Sequence, residues 1–164
     1  MSFGFLLAGF LATTNAGRVA LACQQARPRP STAGLALAGG AALVVAATVF
    51  ADDLLDALSI SPESFRIAAG LVLAVTAVRV LVWPEVVAGP FTAVLITPEL
   101  ACVALSFGAD ESTGKALAAA ALTLPVLAVA ATTRAPLPAL AAQLLAALQI
   151  IVAVALAISG MRDV

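Results

Sequence analysis

Six stretches of about 20 apolar residues, separated by short polar joints, make up almost the whole of this chain. The hydrocarbon core of a bilayer is roughly 30 Å thick, so each stretch is long enough to cross it as one helix. Mean hydropathy is +1.13 and 63% of residues are hydrophobic, which leaves too little polar surface for a soluble domain. The predicted spans are residues 3–23, 31–50, 65–83, 86–108, 116–133 and 138–160.

We expect one all-α membrane bundle over residues 1–164, made of two inverted three-helix repeats at about 1–83 and 84–164. The first helix of each half carries helix-breaking or small residues, Asn15 and Gly17 in one, Gly89, Pro90 and Pro98 in the other. Helices 1 and 4 are therefore predicted to be interrupted, which is the usual pointer to a binding site. The alternative is that Gly and Pro are simply common in membrane helices.

The joints differ in charge. Basic residues collect in joints one, three and five, as Arg27, Arg29, Arg79 and Arg134, whereas joints two and four hold Lys115 alone. The positive-inside rule then predicts that both termini lie outside. Joint two, residues 51–58, alternates acidic residues with leucine; we favour a plain acidic loop over a segment lying along the membrane surface.

Two opposite charges, Arg18 and Glu99, lie inside predicted spans. A charge at the bilayer centre costs roughly 2.5 to 3.5 kcal/mol on insertion scales, so each should face the bundle interior and find a partner. At 3.6 residues per turn, each charge shares one face of its helix with other polar residues. These faces are Thr14, Asn15 and Arg18 on one helix and Thr92, Glu99, Cys102 and Ser106 on the other.

Each candidate residue has a functional and a structural interpretation. Glu99 either binds a proton or a cation, or it forms an ion pair that joins two helices. Arg18 either binds an anionic group of a solute, or its long side chain reaches the membrane–water interface. Asn15 binds a solute or links helices. Arg66 contacts a solute or belongs to a gate, or it pairs with Glu63 or the acidic joint, which is the interpretation that we favour. The predicted substrate-binding residues are Asn15, Gly17, Arg18, Gly89 and Pro90, and those for ion coupling or gating are Glu99, Thr92 and Arg66.

Several functions are excluded by composition. The chain has no His and no Tyr, so it lacks a histidine base or ligand, and two cysteines are too few for a zinc or iron–sulfur site. It has no glycine-rich phosphate loop, and its eight basic residues are scattered. We expect no enzyme activity, no metal or other cofactor, and no nucleic-acid partner.

Five places in order resemble the MarC family of small bacterial inner-membrane proteins, which belongs with the LysE-type exporters. They are Thr14-Asn15-Ala16-Gly17, the acidic joint, residues 60–70 (ISPESFRIAAG), Val87-Ala88-Gly89-Pro90 and a last helix from Gln149 to Gly160. The third is the most specific. The chain departs from the family pattern at Ala16 and Phe91 and in its short joint Trp83-Pro84-Glu85.

The resemblance implies a transporter of small solutes in the bacterial plasma membrane, with small neutral amino acids as the solute. The charged residues within the spans favour a secondary transporter or exporter of a small polar solute that is driven by a proton or sodium gradient. The alternatives are a non-transporting subunit or scaffold of a larger membrane complex, and a transporter of lipid-linked head groups. Membrane lipid and a small solute are the expected partners, and a bundle of this size is a candidate for homo-oligomers.

Overall fold

The computed structural model describes residues 2–26, 28–83, 96–110, 113–132 and 138–163. Every element within these ranges is an α-helix. The helices are α1 (Phe3–Thr14), α2 (Ala16–Ala26), α3 (Pro30–Val49), α4 (Ala51–Ala57), α5 (Pro62–Val82), α6 (Pro98–Asp110), α7 (Thr113–Thr132) and α8 (Pro138–Asp163).

Five helical segments are long and apolar enough to cross a membrane. They are Phe3–Ala26, Ser31–Val49, Pro62–Val82, Thr113–Ala130 and Pro138–Arg162, and they correspond to five of the six predicted spans. The fourth predicted span, residues 86–108, is represented by the shorter apolar helix Pro98–Ala109, and its part within 84–95 lies outside the described residues. The chain is therefore an all-α protein with several apolar membrane-length helices.

The acidic joint is a correction to the sequence prediction, because it forms the short helix α4 and not a plain loop. Ala51 and Leu55 are buried, whereas Asp52, Asp53 and Asp56 are exposed. Two carboxylates in the first turn suit the positive end of the helix dipole. The periodic burial of one apolar face explains why a segment with three acidic residues is helical.

α5 and α8 form the most extensive helix pair and run antiparallel along their length. Gly70 and Gly160 allow this contact. A Cβ at Gly70 would lie 2.6 Å from the Ala153 carbonyl oxygen, and a Cβ at Gly160 would lie 2.6 Å from the Glu63 carbonyl oxygen. Membrane helices associate mainly through such close packing, because lipid tails supply no hydrophobic drive between them.

Aromatic and branched side chains fill the centre of the bundle. Phe107 of α6 packs edge-on against Phe5 and Phe10 of α1, with ring centroids 6.0 Å and 5.4 Å apart. Leu73 of α5 and Leu156 of α8 belong to the same cluster and are fully buried. This cluster ties both halves of the chain together.

Candidate functional site

The first span is broken at Asn15, as its sequence predicts. Asn15 ends α1 in the left-handed conformation (φ 41°), which Asn tolerates better than most residues. Its side-chain Oδ1 accepts a hydrogen bond from the Arg18 backbone N–H at 3.2 Å, which caps the start of α2. Its Nδ2 donates to the Ala142 carbonyl of α8 at 3.0 Å. Asn15 therefore satisfies backbone groups freed by the break and links the break to α8.

Gly17 brings the break close to α8. A Cβ at Gly17 would overlap the backbone of Ala142, and of the neighbouring Ala141 at 2.8 Å. The absence of a side chain at Gly17 is thus a packing requirement, and its place in the site is to seat the first turn of α2 against α8.

α6 begins inside the predicted fourth span. Ile96 and Thr97 are not helical, and the helix starts at Pro98, a residue suited to the first helical position. Thr97 Oγ1 accepts a hydrogen bond from the Leu100 backbone N–H at 3.2 Å. Glu99 stands in the first turn of α6, as Arg18 does in the first turn of α2.

Arg18, Arg79 and Glu99 line one small cavity. Thr76, Val80 and Trp83 complete its wall, and its volume is about 50 Å³. Glu99 and Arg79 are the charged groups that act on the Arg18 guanidinium. A water occupies about 30 Å³ of the liquid, so this cavity admits water or a small ion as it stands.

One oxygen of Glu99 is buried without a partner. Glu99 Oε2 accepts no hydrogen bond from any residue within the part of the chain that the structure describes, Arg18 included. A buried carboxylate oxygen without a donor is costly, so this atom is available to a ligand, a proton or water. Arg18 and Glu99 thus face a shared space, in which Glu99 Oε2 is left without a donor among the described residues.

The cavity lies toward the end of the bundle where α5 ends and α8 begins. Gly17 contacts Ala142, and the next residue, Gln143, donates to the carbonyl of Leu81 in the last turn of α5 at 3.4 Å. Arg79 and Trp83 are exposed at this end. On the other side lies the packed cluster around Phe10 and Phe107. The cavity therefore opens toward one end of the bundle and is closed toward the other.

Gln149 holds one wall of the cavity in place. This buried residue of α8 donates from Nε2 to Thr76 Oγ1 at 3.0 Å and to the Leu73 carbonyl at 3.3 Å. Thr76 in turn donates to the Val72 or Leu73 carbonyl at 3.0 Å. Gln149 and Gln143 are thus helix–helix hydrogen-bonding residues.

The structure brings together only some of the predicted site residues. Asn15, Gly17, Arg18 and Glu99 lie at or beside the cavity, whereas Gly89, Pro90 and Thr92 lie outside the described residues. Arg66 lies elsewhere: it is buried and its Nη1 donates to Ser159 Oγ at 3.5 Å. Thirteen residues of α5 separate it from Arg79, a rise of about 20 Å.

Arg79 and Thr76 are site residues that sequence reasoning did not select. Arg79 is near the end of its predicted span, so the sequence favours a place in a joint, where it marks orientation. The signal that points to it is the one that selects Arg18, an ionisable residue within an apolar stretch. Thr76 carries no comparable signal, since a lone threonine in a membrane helix usually bonds its own backbone.

Comparison of the chain with protein-family models, with characterised proteins and with solved structures returned no match.

Proposed function

We propose that this protein is a secondary transporter of a small solute that carries an anionic group, with small neutral amino acids as the class that fits best. The observation that carries the proposal is the cavity itself. Two helices start inside the bundle, and each directs a charged residue of its first turn, Arg18 or Glu99, into the same space. Helix starts of this kind are typical binding elements in transporters, because their free N–H groups and dipoles attract anions.

The charges of the cavity suggest the solute. Two guanidinium groups, Arg18 and Arg79, suit a carboxylate, since the planar guanidinium can donate two parallel hydrogen bonds. Glu99 Oε2, which has no donor among described residues, suits an ammonium group, a sodium ion or a proton. A zwitterion satisfies both sets at once. The cavity is too small for an amino acid in this conformation, so binding requires the walls to move apart.

The packing of the helices supports an inverted repeat. Exchange of the two halves matches α1–α2 with α6, α3 with α7, and α5 with α8. The contacts follow that exchange. α5 packs on α8, its own counterpart. The pair α3 and α6 corresponds to the pair α1–α2 and α7, and the pair α5 and α6 corresponds to the pair α1–α2 and α8. The helices of one half thus contact mainly those of the other, which is the arrangement that allows one half to rock against the other.

The direction of opening also fits transport. Arg29 and Arg79 lie at the open end of the cavity, since α3 begins and α5 ends there. The sequence has four basic residues in joints one, three and five and Lys115 alone in joints two and four, so by the positive-inside rule we take this as the cytoplasmic end. The described conformation is then an inward-facing one, with the Phe10–Phe107 cluster as the closed side.

The test is flux in proteoliposomes with imposed proton and sodium gradients. Uptake and counterflow of labelled small neutral amino acids are measured for the wild-type chain, Glu99→Gln and Arg18→Gln. Asp56→Asn and Arg162→Gln are the matched controls, because both side chains are exposed and outside the cavity. We expect gradient-driven flux in the wild type and both controls, its loss in Glu99→Gln, and a roughly tenfold to hundredfold loss in Arg18→Gln, as for a charged hydrogen bond.

A folded wild-type chain that moves no amino acid under either gradient contradicts the amino-acid proposal. Equal flux in Glu99→Gln and the wild type contradicts the role of the cavity. The remaining alternatives are then a scaffold or a lipid-linked substrate.

A further inference from the structure

A second and larger cavity lies on the other side of the bundle, between α3 and α7. Its volume is about 250 Å³, and it is bounded by α1 and α6 at its base. An apolar cavity of about 150 Å³ already binds benzene in a protein core, so this one accommodates a larger apolar group. It is separate from the charged cavity, with which it shares no lining residue.

The lining offers nothing to a polar solute. It is made of Leu, Val, Ala, Gly and Phe apart from two threonines. Both hydroxyls are already used within their own helices: Thr14 Oγ1 donates to the Phe10 carbonyl at 2.8 Å, and Thr123 Oγ1 to the Ala120 carbonyl at 2.7 Å. A polar ligand would lose its hydration here without compensation, whereas a hydrocarbon group loses nothing.

The cavity is elongated along the helices and open at its side. Its lining on α7 runs from Leu117 to Leu127, about 15 Å at 1.5 Å per residue. Val45, Ala121 and Leu124 line it and are exposed, so the mouth lies between α3 and α7. Both helices are membrane-length spans that are largely unburied within the bundle. The mouth therefore faces the hydrocarbon of the bilayer.

A positive charge lies above one end of the cavity. Arg29, the N-cap residue of α3, is exposed, and Leu37, the first α3 residue of the lining, follows eight residues later, a rise of about 12 Å. Half of the hydrocarbon core of a bilayer is about 15 Å. A lipid whose phosphate lies near Arg29 has its acyl chain at the depth of the cavity.

We propose that this cavity holds one acyl chain of an anionic phospholipid whose phosphate lies near Arg29. The bound chain would pack against Thr14 and Leu100, which adjoin the helix starts at Asn15 and Thr97. The site does not depend on transport, and its occupancy can be measured without any solute.

The experiment uses the full-length protein in phosphatidylcholine vesicles that contain a small fraction of phosphatidylglycerol with a photoreactive diazirine in the middle of one acyl chain. After illumination, adducts are mapped by mass spectrometry. We expect them to concentrate on cavity residues such as Leu117 and Leu124, above the background on lipid-facing Leu71 and Leu144.

Variants that fill the cavity give the matched comparison. Ala41→Leu and Ala120→Leu add a large side chain to the lining, and we expect each to remove the cavity adducts. Ala42→Leu and Ala118→Leu make the same change at neighbouring exposed positions outside the lining, and we expect them to keep the adducts. Arg29→Gln should lower labelling about fivefold, as expected for one basic residue at an anionic surface.

Competition in the wild-type chain keeps the test independent of folding defects. Excess unlabelled phosphatidylglycerol should suppress the cavity adducts, and excess phosphatidylcholine should not. Labelling of the cavity residues no greater than that of Leu71 and Leu144, or equal competition by the two lipids, overturns the proposal.

Discussion

Asn15 and Thr97 cap two helices in the same way: each side-chain oxygen accepts a hydrogen bond from the backbone N–H three residues later, at 3.2 Å in both cases. The capped helices, α2 and α6, begin inside the bundle and belong to different halves of the chain. A charged residue follows each cap, Arg18 in one and Glu99 in the other. The cavity depends on these two helix starts.

Two replacements of Asn15 separate the contribution of its side-chain hydrogen bonds from that of its left-handed backbone conformation. Asn15→Gly keeps the left-handed backbone conformation but loses the cap and the bond to Ala142, and we expect a destabilisation of about 1–2 kcal/mol. Asn15→Ala should cost about 1–2 kcal/mol more, the strain of a Cβ in the left-handed region. Unfolding in detergent, followed by the fluorescence of the single tryptophan, measures the difference. Equal stability of the two variants would show that this backbone conformation contributes nothing.

Gly17→Ala places a methyl group against the backbone of Ala142. We expect a loss of about 1–3 kcal/mol, as for overpacking of a tight contact. Gly34→Ala is the matched control, because a Cβ there meets nothing within 4 Å and alanine favours the helix. The melting temperatures of the two variants in the same detergent provide the measurement. A Gly17→Ala protein as stable as Gly34→Ala would contradict the close approach of α2 to α8.

Gln149→Leu removes two hydrogen bonds between α8 and α5. Interhelical hydrogen bonds in membranes contribute about 0.6 kcal/mol on average and up to about 1.7 kcal/mol, so we expect a loss within that range. Gln143→Leu removes one longer bond and should cost less. A double-mutant cycle with Thr76→Val isolates the Gln149–Thr76 coupling. Strictly additive effects would place the two side chains out of contact.

The sequence predicts where the helices lie better than it predicts which helices pack together. Five of the six spans match apolar membrane-length helices, because the need to satisfy backbone groups in lipid fixes both type and length. α5 starts at Pro62, three residues before the predicted span, and Ser61 caps it by accepting a hydrogen bond from the Ser64 N–H. That α5 pairs with α8 could not be predicted, because helices that are apolar on every side do not indicate which face packs.

The sequence predicts only those site residues that carry a signal of their own, and not those that tertiary packing brings to the cavity. Arg18 and Glu99 are selected by the cost of charge in lipid, and the structure brings them to one cavity. Arg79 joins them only because α5 packs on α6 and because α5 and α2 both pack on α8, tertiary facts that the linear sequence does not contain. The structural work of Asn15, by contrast, follows from its place between a Thr-Thr pair and a glycine.

Arg79→Gln should weaken solute binding more than turnover. Arg79 lies at the exposed mouth of the cavity, so we expect an increase in KM of about tenfold or less with little change in kcat, because the contribution of an exposed charge is partly screened. Arg79→Lys should have an intermediate effect, since lysine keeps the positive charge but lacks the two parallel N–H donors of the guanidinium group. Arg162→Gln, at an exposed position near the end of α8, is the control. Flux kinetics in proteoliposomes separate these outcomes, and an unchanged KM in Arg79→Gln would remove Arg79 from the site.

We propose that the cavity around Arg18 and Glu99 is exposed alternately to the two faces of the membrane. Val80 lines it and is buried, so Val80→Cys in a chain with Cys23 and Cys102 replaced by Ala reports on its access. Membrane-impermeant maleimide is applied to either face of oriented vesicles, with and without small neutral amino acids. The account predicts labelling from the end where α5 terminates, and a solute-dependent gain of labelling from the opposite face. Labelling from one face only, at a rate that no amino acid alters, would contradict it.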